Sequence, residues 1–316
     1  MSYVKLPASC RAGRKQGDKV EDRLTAIDQI RSSAVGSCCK ICFAEDRSRI
    51  LVASPERALL RCRSCGAAYL DPLPDPAQIT SHLTEHYIKD EVQTEQHFGK
   101  GREAVLSRVA RSVLRRKSSG RIIDIGCAGG YFLNRYFDSP SWELYGIEPS
   151  KYAAAKAEKR NIKVFQGQLS SIALPTSFFD VITIFDTFSY FRDPQHDLKT
   201  LHNALSPNGL LVIEQPLVAT TVWRHATRIG RLLGGYTMSL LDGGQNFLYG
   251  PRAMRLLLKE AGFREVAISN LPGNKQRDPL RDLLFGVYYA GSSLCWIASG
   301  NSWLCGPNFV VMATRA

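Results

Sequence analysis

The chain has 316 residues, 44% of them hydrophobic and 22% charged, with a net charge of +12. This is about two domain lengths of ordinary globular composition, enough to bury a core unaided, and nine cysteines in so long a chain exclude a secreted disulfide scaffold. The positive excess is spread over clusters at Arg11–Lys19, Arg102–Lys117 and Arg224–Arg231, so charge alone admits nucleic acid, anionic lipid or an acidic small substrate.

Residues 1–36 read as a polar, basic leader with one short helix over Val20–Ile30. The leader has no apolar stretch of signal-peptide type, so the expected compartment is the cytoplasm, where paired cysteines hold metal rather than disulfides. Residues 37–70 carry Cys39-x2-Cys42 and Cys62-x2-Cys65, separated by 19 residues. Two such knuckles present four thiolates to one Zn²⁺. Four cysteine ligands leave no place for a reactive water, so the expected role is structural, and the metal then supplies much of the module's folding free energy. Cys38 is an alternative to Cys39 with altered spacing. Cys10, Cys127, Cys295 and Cys305 read as core or loop residues.

Residues 71–117 begin with the proline-rich "LDPLPDPAQIT", a stiff linker, and continue as a helical segment over His82–Lys117 with Val105, Val109 and Val113 on one face. Residues 118–316 then alternate strand and helix. Strands are expected at Ile122–Ile125, Glu143–Ile147, Ile162–Phe165, Val181–Phe185, Leu210–Ile213, Val266–Ile268 and Phe309–Met312. Helices are expected at Gly129–Phe137, after Ser150 as N-cap, at Asp197–Leu205 ending in the turn "SPNG", and at Ala253–Ala261 closed by Gly262. This alternation predicts an α/β fold, a doubly wound sheet with helices on both faces. Leu283–Thr314 contains no Asp, Glu, Lys or Arg, but small and polar residues interrupt it. A buried helix, a turn and a last strand are expected there, without stable membrane insertion.

The turn "DIGCAGG" after the first of these strands carries the chemistry. A dinucleotide fingerprint from Gly126 requires glycine where Tyr131 stands, and no Lys-Ser or Lys-Thr follows for a phosphate loop. Asp124, Gly126, Ala128 and Gly130 fill a different pattern, Asp-x-Gly-x-(Gly/Ala)-x-Gly. This stretch, with "LYGIEPS", "LHNALSPNGLLVIEQP" and "FLYGPRAMRLLLKEAGFREV", resembles class I S-adenosylmethionine-dependent methyltransferases. With the cysteine module, the resemblance extends over Cys39–Ala316 to a bacterial small-molecule and sugar methyltransferase group that carries an N-terminal zinc ribbon.

The resemblance implies a Rossmann-like seven-stranded methyltransferase sheet preceded by the ribbon, with S-adenosylmethionine and structural Zn²⁺ as cofactors. It implies Asp124, Gly126, Ala128 and Gly130 around the methionyl part, Glu148 on the ribose hydroxyls, Gln168 on the adenine amino group with Leu169 against the ring, and Asp186 near the methionine end. Relatives often place His four positions after Asp186, where this chain has Tyr190, a phenol with an ordinary pKa of about 10 and so a weak base. A lid insert near 217–250 offers His225, Asp242, Asn246 and Tyr249 as further acceptor-side candidates; His225 falls on an amphipathic helix pattern, and Tyr190 and His225 head the catalytic candidates. The implied function is methyl transfer to a small-molecule acceptor, a nucleotide sugar or other anionic metabolite. The alternatives are an rRNA or tRNA methyltransferase using the ribbon on RNA, and a non-catalytic cofactor-binding scaffold.

Overall fold

The structure, a computed structural model, describes residues 38–45, 48–53, 57–75, 79, 102–217, 245–271, 279–299, 306 and 308–316. The expected helix at Val20–Ile30, the first part of the His82–Lys117 helix, and His225 and Asp242 lie outside these residues.

Seven strands form the principal sheet, in the order β10-β11-β8-β7-β4-β5-β6. They are β4 (Gly120–Ile125), β5 (Trp142–Glu148), β6 (Lys163–Gln166), β7 (Phe179–Phe185), β8 (Leu205–Pro216), β10 (Phe263–Leu271) and β11 (Asn308–Arg315). β4 to β8 pair in parallel, and β11 runs antiparallel between β8 and β10. β4 lies between β5 and β7, so the chain leaves β4 at the point where the strand order reverses, and the turn after it opens into the crevice where ligands bind in such sheets.

Side-chain alternation sorts the core into two layers. Ile123, Ile125, Ile182, Ile184, Leu211 and Ile213 face one side, against α4 (Pro194–Ala204) and α5 (Pro251–Glu260). Ile122, Val181, Leu210, Val212 and Val310 face the other, against α1 (Glu103–Leu114) and α2 (Tyr131–Phe137). Period-two patterning on a two-sided buried sheet produces this division. Val105, Val109 and Val113 are all buried on α1, as their spacing predicts. α3 (Lys151–Glu158) begins at Ser150, whose hydroxyl accepts the Ala153 N–H at 3.4 Å.

Two expectations are corrected. "SPNG" does not end α4 in a separate turn; residues 206–209 are a bulge within β8, between the pairs Phe179↔Leu205 and Val181↔Leu210. Asn208 takes the left-handed φ of +58°, and the Ser206 hydroxyl donates to Asp180 at 3.0 Å. The second correction concerns α6 (Pro279–Ala298), which is not a buried helix: Leu283, Val287, Leu294 and Ile297 are each more than 60% exposed.

A second sheet contains β1 (Ser48–Ala53), β2 (Ala58–Cys62), β3 (Ala68–Asp71) and β9 (Phe247–Leu248). Its fourth strand thus comes from the far end of the insert after β8. Cys39, Ile41, Leu60, Cys62, Cys65 and Tyr69 belong to the same buried cluster as the α4–α5 side of the large sheet.

Candidate functional site

Gly126 and Gly130 both take φ of +77°, and Ala128 between them takes +48°. A Cβ on Gly126 would lie 2.3 Å from Thr187 Oγ1, and one on Gly130 would lie 2.2 Å from Ile162 Cδ1. Glycine at these two positions is therefore required by conformation and by space. Ala128 occupies a left-handed conformation that glycine would take without strain.

Glu148, at the end of β5, holds this turn from below. Its carboxylate accepts the Ala128 N–H at 2.9 Å and the Ser150 N–H at 2.8 Å, and the residue is 2% exposed. Burial pushes its carboxyl up to about 7, against the two N–H donors, which favour the anion. Each oxygen keeps a second lone pair for a hydroxyl donor. Asp124 is also buried and accepts the Thr183 hydroxyl at 2.7 Å. Burial pushes it up to about 7, with Thr183 and the Arg102 cation opposing.

Arg102, just before α1, is fully buried. Its guanidinium pairs with Asp186 at 2.7 Å and with Glu214 on β8, and Asn308 on β11 donates to the same Glu214 carboxylate at 2.9 Å. Burial works against the Arg102 cation, and the charges of Asp186 and Glu214 more than restore it. Burial moves the Glu214 carboxyl upward, against Arg102. Asp186 takes φ of +51°, donates its N–H to the Glu214 carbonyl, and keeps Oδ1 buried without a hydrogen bond among the described residues. One cation and three carboxylates therefore converge where β4, β7 and β8 end.

The remaining candidates divide into two groups. Gln168 is exposed and precedes a 3-10 turn that begins with the buried Leu169. Tyr190 is half-buried and ends the 3-10 turn Phe188–Tyr190. Asn246 and Tyr249 are fully buried. Asn246 is a structural node: its side-chain amide donates to the carbonyls of Tyr190 at 2.6 Å and Phe191 at 3.2 Å. Its backbone N–H donates to the Ser189 carbonyl, and its own carbonyl accepts the Leu70 N–H of β3. Tyr249 packs its ring on Phe188 with centroids 4.9 Å apart. Gln195 donates to the Ile41 carbonyl at 2.8 Å, and Arg192 to that of Pro74. The cysteine module is thus tied to the loop after β7, the loop that carries Asp186 and Tyr190.

Within that module the sulfurs of Cys39, Cys42, Cys62 and Cys65 lie within 4.8 Å of one another. Cys39 and Cys65 are 3.7 Å apart, and Cys42 and Cys62 are 3.6 Å apart. A zinc tetrahedron with bonds of about 2.3 Å requires sulfur separations of about 3.8 Å, so the quartet fits the ion. The backbone N–H groups of Ile41 and Ser64 point at Cys39 and Cys62 sulfurs, 3.4 and 3.3 Å away, as donors to thiolates would. Cys38 stands outside the quartet and is disulfide-bonded, unlike the six free cysteines among the described residues.

Arg102, Glu214, Asn308 and Thr187 did not emerge as site residues from the sequence. Arg102 reads there as one arginine of a basic cluster, and only its burial distinguishes it. Glu214, a carboxylate at the end of the apolar run "LLVIE", was the available signal: a charge in a buried strand requires a partner.

A profile of the methyltransferase domain family matches residues 96–268, more than half of the chain. Among curated proteins, an uncharacterized Haemophilus influenzae protein is 31% identical over 127 residues, 37% of this chain and 50% of its own length. The uncharacterized methyltransferase YdaC of Bacillus subtilis is 26% identical, covering 35% of this chain and 64% of its own. The tRNA U34 carboxymethyltransferase of Pseudomonas paraeruginosa is 28% identical, covering 46% and 45%. The chain therefore spans about half the length of the curated relatives it matches. Among solved structures, one chain belongs to a complex of the Haloferax volcanii Trm112 methyltransferase activator with a protein described as a methyltransferase. It superposes with a TM-score of 0.54 at 12% identity, covering 73% of this chain and 96% of its own. Haemonchus contortus phosphoethanolamine N-methyltransferase 2, solved with phosphomonomethylethanolamine and S-adenosylhomocysteine, gives 0.50 at 14% identity, covering 77% and 61%. At such identities the likeness is one of fold, and the profile match carries the assignment: this chain belongs to the methyltransferase domain family.

Proposed function

We propose that this chain transfers a methyl group from S-adenosylmethionine to a small-molecule acceptor, a nucleotide sugar or another anionic metabolite. The observation that carries the reading is the left-handed turn Gly126–Gly130 with the Glu148 carboxylate bonded beneath it. Glu148 would accept the ribose hydroxyls, with Gln168 and Leu169 beside the adenine and Asp124 and Asp186 toward the methionyl part. The buried Asp186 Oδ1 is suited to an ammonium donor. Bound S-adenosylmethionine supplies an electrophilic methyl on a sulfonium whose leaving thioether is neutral.

The chain's own task is then to bind, orient and keep water out. Holding an acceptor in line is worth an effective molarity of roughly 10⁵–10⁸ M in favourable cases. Tyr190 borders the acceptor side, held through its backbone by Asn246; it orients the acceptor, and His225 of the insert is the second acceptor-side candidate. The Cys39, Cys42, Cys62 and Cys65 quartet would hold Zn²⁺ structurally and stiffen the wall behind Tyr190. The small-molecule reading draws support from the ribbon's burial: Ile41, Leu60 and Tyr69 are spent on the shared core rather than offered to bases.

A second reading, transfer to RNA instead of a small molecule, draws its acceptor class from the relatives named tRNA U34 carboxymethyltransferase, whose own transferred group is a carboxymethyl. Calorimetry with S-adenosylmethionine tests the shared part, and absence of binding by folded, zinc-loaded protein ends both readings. Radiolabel from the cofactor is then followed into a metabolite extract and into total RNA. Label in the small-molecule fraction is expected; label confined to RNA selects the second reading.

A further inference from the structure

The exposed side of α6 is apolar along its length. Leu283, Val287, Leu294 and Ile297 are 63%, 65%, 68% and 70% exposed, and Ala290 between them is exposed too. Their spacing of four, three, four and three residues aligns them in one stripe. Leu284 and Tyr288 widen it. From Leu283 to Thr314 the chain offers no ionisable Asp, Glu, Lys or Arg to solvate this face. Water-facing helix sides normally carry charge, and a contiguous exposed apolar face marks a contact surface.

The neighbouring helix supplies the charge. The Arg108 guanidinium donates to the Tyr289 hydroxyl at 2.7 Å, which seats α1 beside α6. Arg108, Arg111, Arg115 and Arg116 are all exposed along α1 and just past its end, and the only acid in that helix is Glu103 in its first turn. Both ends of α6 connect to the ligand-side edge of the sheet. β10 ends at Leu271, opposite Asn308, and Asn308 lies opposite Pro216 at the end of β8. Asn270 fastens the helix there by donating to the Ser292 carbonyl at 3.2 Å.

We propose that α6 and α1 together form a peripheral docking face for a bilayer with anionic headgroups. The stripe enters the headgroup–acyl boundary and the α1 arginines lie on lipid phosphates. Charge favours an anionic surface over a second copy as the occupant, because the exposed α1 arginines beside the stripe complement headgroup phosphates and each copy carries a net +12. Among the described residues no helix is long and apolar enough to cross a membrane, so the contact is interfacial. The face is distinct from the candidate cofactor residues, and its occupancy is measured without turnover.

The full chain, zinc-loaded, is sedimented with phosphatidylcholine vesicles containing or lacking phosphatidylglycerol, at low and high salt. Binding to the anionic vesicles at low salt is expected, and its loss at high salt. Leu294→Asp with Ile297→Asp, and separately Arg111→Ser with Arg115→Ser, each lower the partition coefficient by on the order of 10-fold or more, with S-adenosylmethionine affinity unchanged. Should the aspartate pair fold poorly, Ile297→Trp reads the same contact through a blue-shifted emission on anionic vesicles. Equal or absent sedimentation with the two vesicle types overturns the proposal. So does a dimer in light scattering that the aspartate pair dissolves, which assigns the stripe to a second copy. RNA binding lost with the arginine pair and indifferent to the aspartates, without vesicle binding, overturns it in favour of nucleic acid.

Discussion

The Arg102 guanidinium stands 2.7 Å from the Asp186 carboxylate while also binding Glu214, so one buried cation joins the ends of β7 and β8 to the start of α1. Removing it leaves the fully buried Glu214 and the partly exposed Asp186 carboxylates without their cation. Arg102→Met is expected to destabilise the fold by about 3–5 kcal/mol. Adding Glu214→Gln recovers part of that loss, a coupling readable in a double-mutant cycle by urea unfolding. A cost below about 1 kcal/mol for the single variant contradicts the assignment.

Burial raises Glu148 from an ordinary 4.5 to about 7 and Asp124 from 3.8 to about 7. For an acid this means that the folded state keeps a proton that the unfolded chain has already released. The contribution is fully present below about pH 4 and is lost as pH rises through about 7. Unfolding free energy should therefore fall between pH 5 and pH 8, by an amount on the order of 3 kcal/mol for each group. Glu148→Gln removes its share and flattens the slope. Stability that climbs with pH across this interval counts against the proposal.

The turn makes opposite predictions for two neighbouring residues. Gly126→Ala forces a Cβ onto Thr187 at φ +77° and should cost about 2 kcal/mol or more, together with most of the cofactor affinity. Ala128→Gly relieves a left-handed alanine at φ +48° and should change stability by less than about 1 kcal/mol, in the stabilising direction. Thermal unfolding with and without S-adenosylmethionine separates the two effects.

Asn246 links the ribbon strand β3 to the loop behind Tyr190. Asn246→Ala removes the two side-chain hydrogen bonds to the Tyr190 and Phe191 carbonyls, at about 2–3 kcal/mol. Acceptor turnover should fall by more than 10-fold while the S-adenosylmethionine Kd moves less than about 3-fold. Chelation, or Cys65→Ser, should release one zinc per chain by elemental analysis and reproduce the same split. An equal loss of cofactor binding would falsify the separation of the two walls.

Much of this architecture was legible from patterning. The seven strands follow from apolar runs, the N-cap from Ser150, and the turn from Gly126 and Gly130, because each is a local requirement of backbone or burial. The residues that escaped are those whose meaning is non-local. Arg102 acquires its role only when β7 and β8 bring Asp186 and Glu214 to it. "SPNG" reads as a turn on its own residues, yet pairing with β7 on either side makes it a bulge. The uncharged stretch holding α6 reads as interior because sequence registers apolarity and not what covers it. Asn246 reads in the sequence as a polar residue of the insert, and its four backbone and side-chain bonds to Tyr190, Phe191, Ser189 and Leu70 depend on partners distant in the chain.

The pairing of Ala68 with Leu248 has a consequence for biosynthesis. The strands β1 to β3 are translated before β4, but the fourth strand of their sheet is translated only after β8. Until then the free edge of β3 remains open to pairing with other chains, and Leu70 lacks the carbonyl that Asn246 later provides. The small sheet is therefore begun before β4 and completed only after β8, and its closure reports that the parallel strands in between have been made.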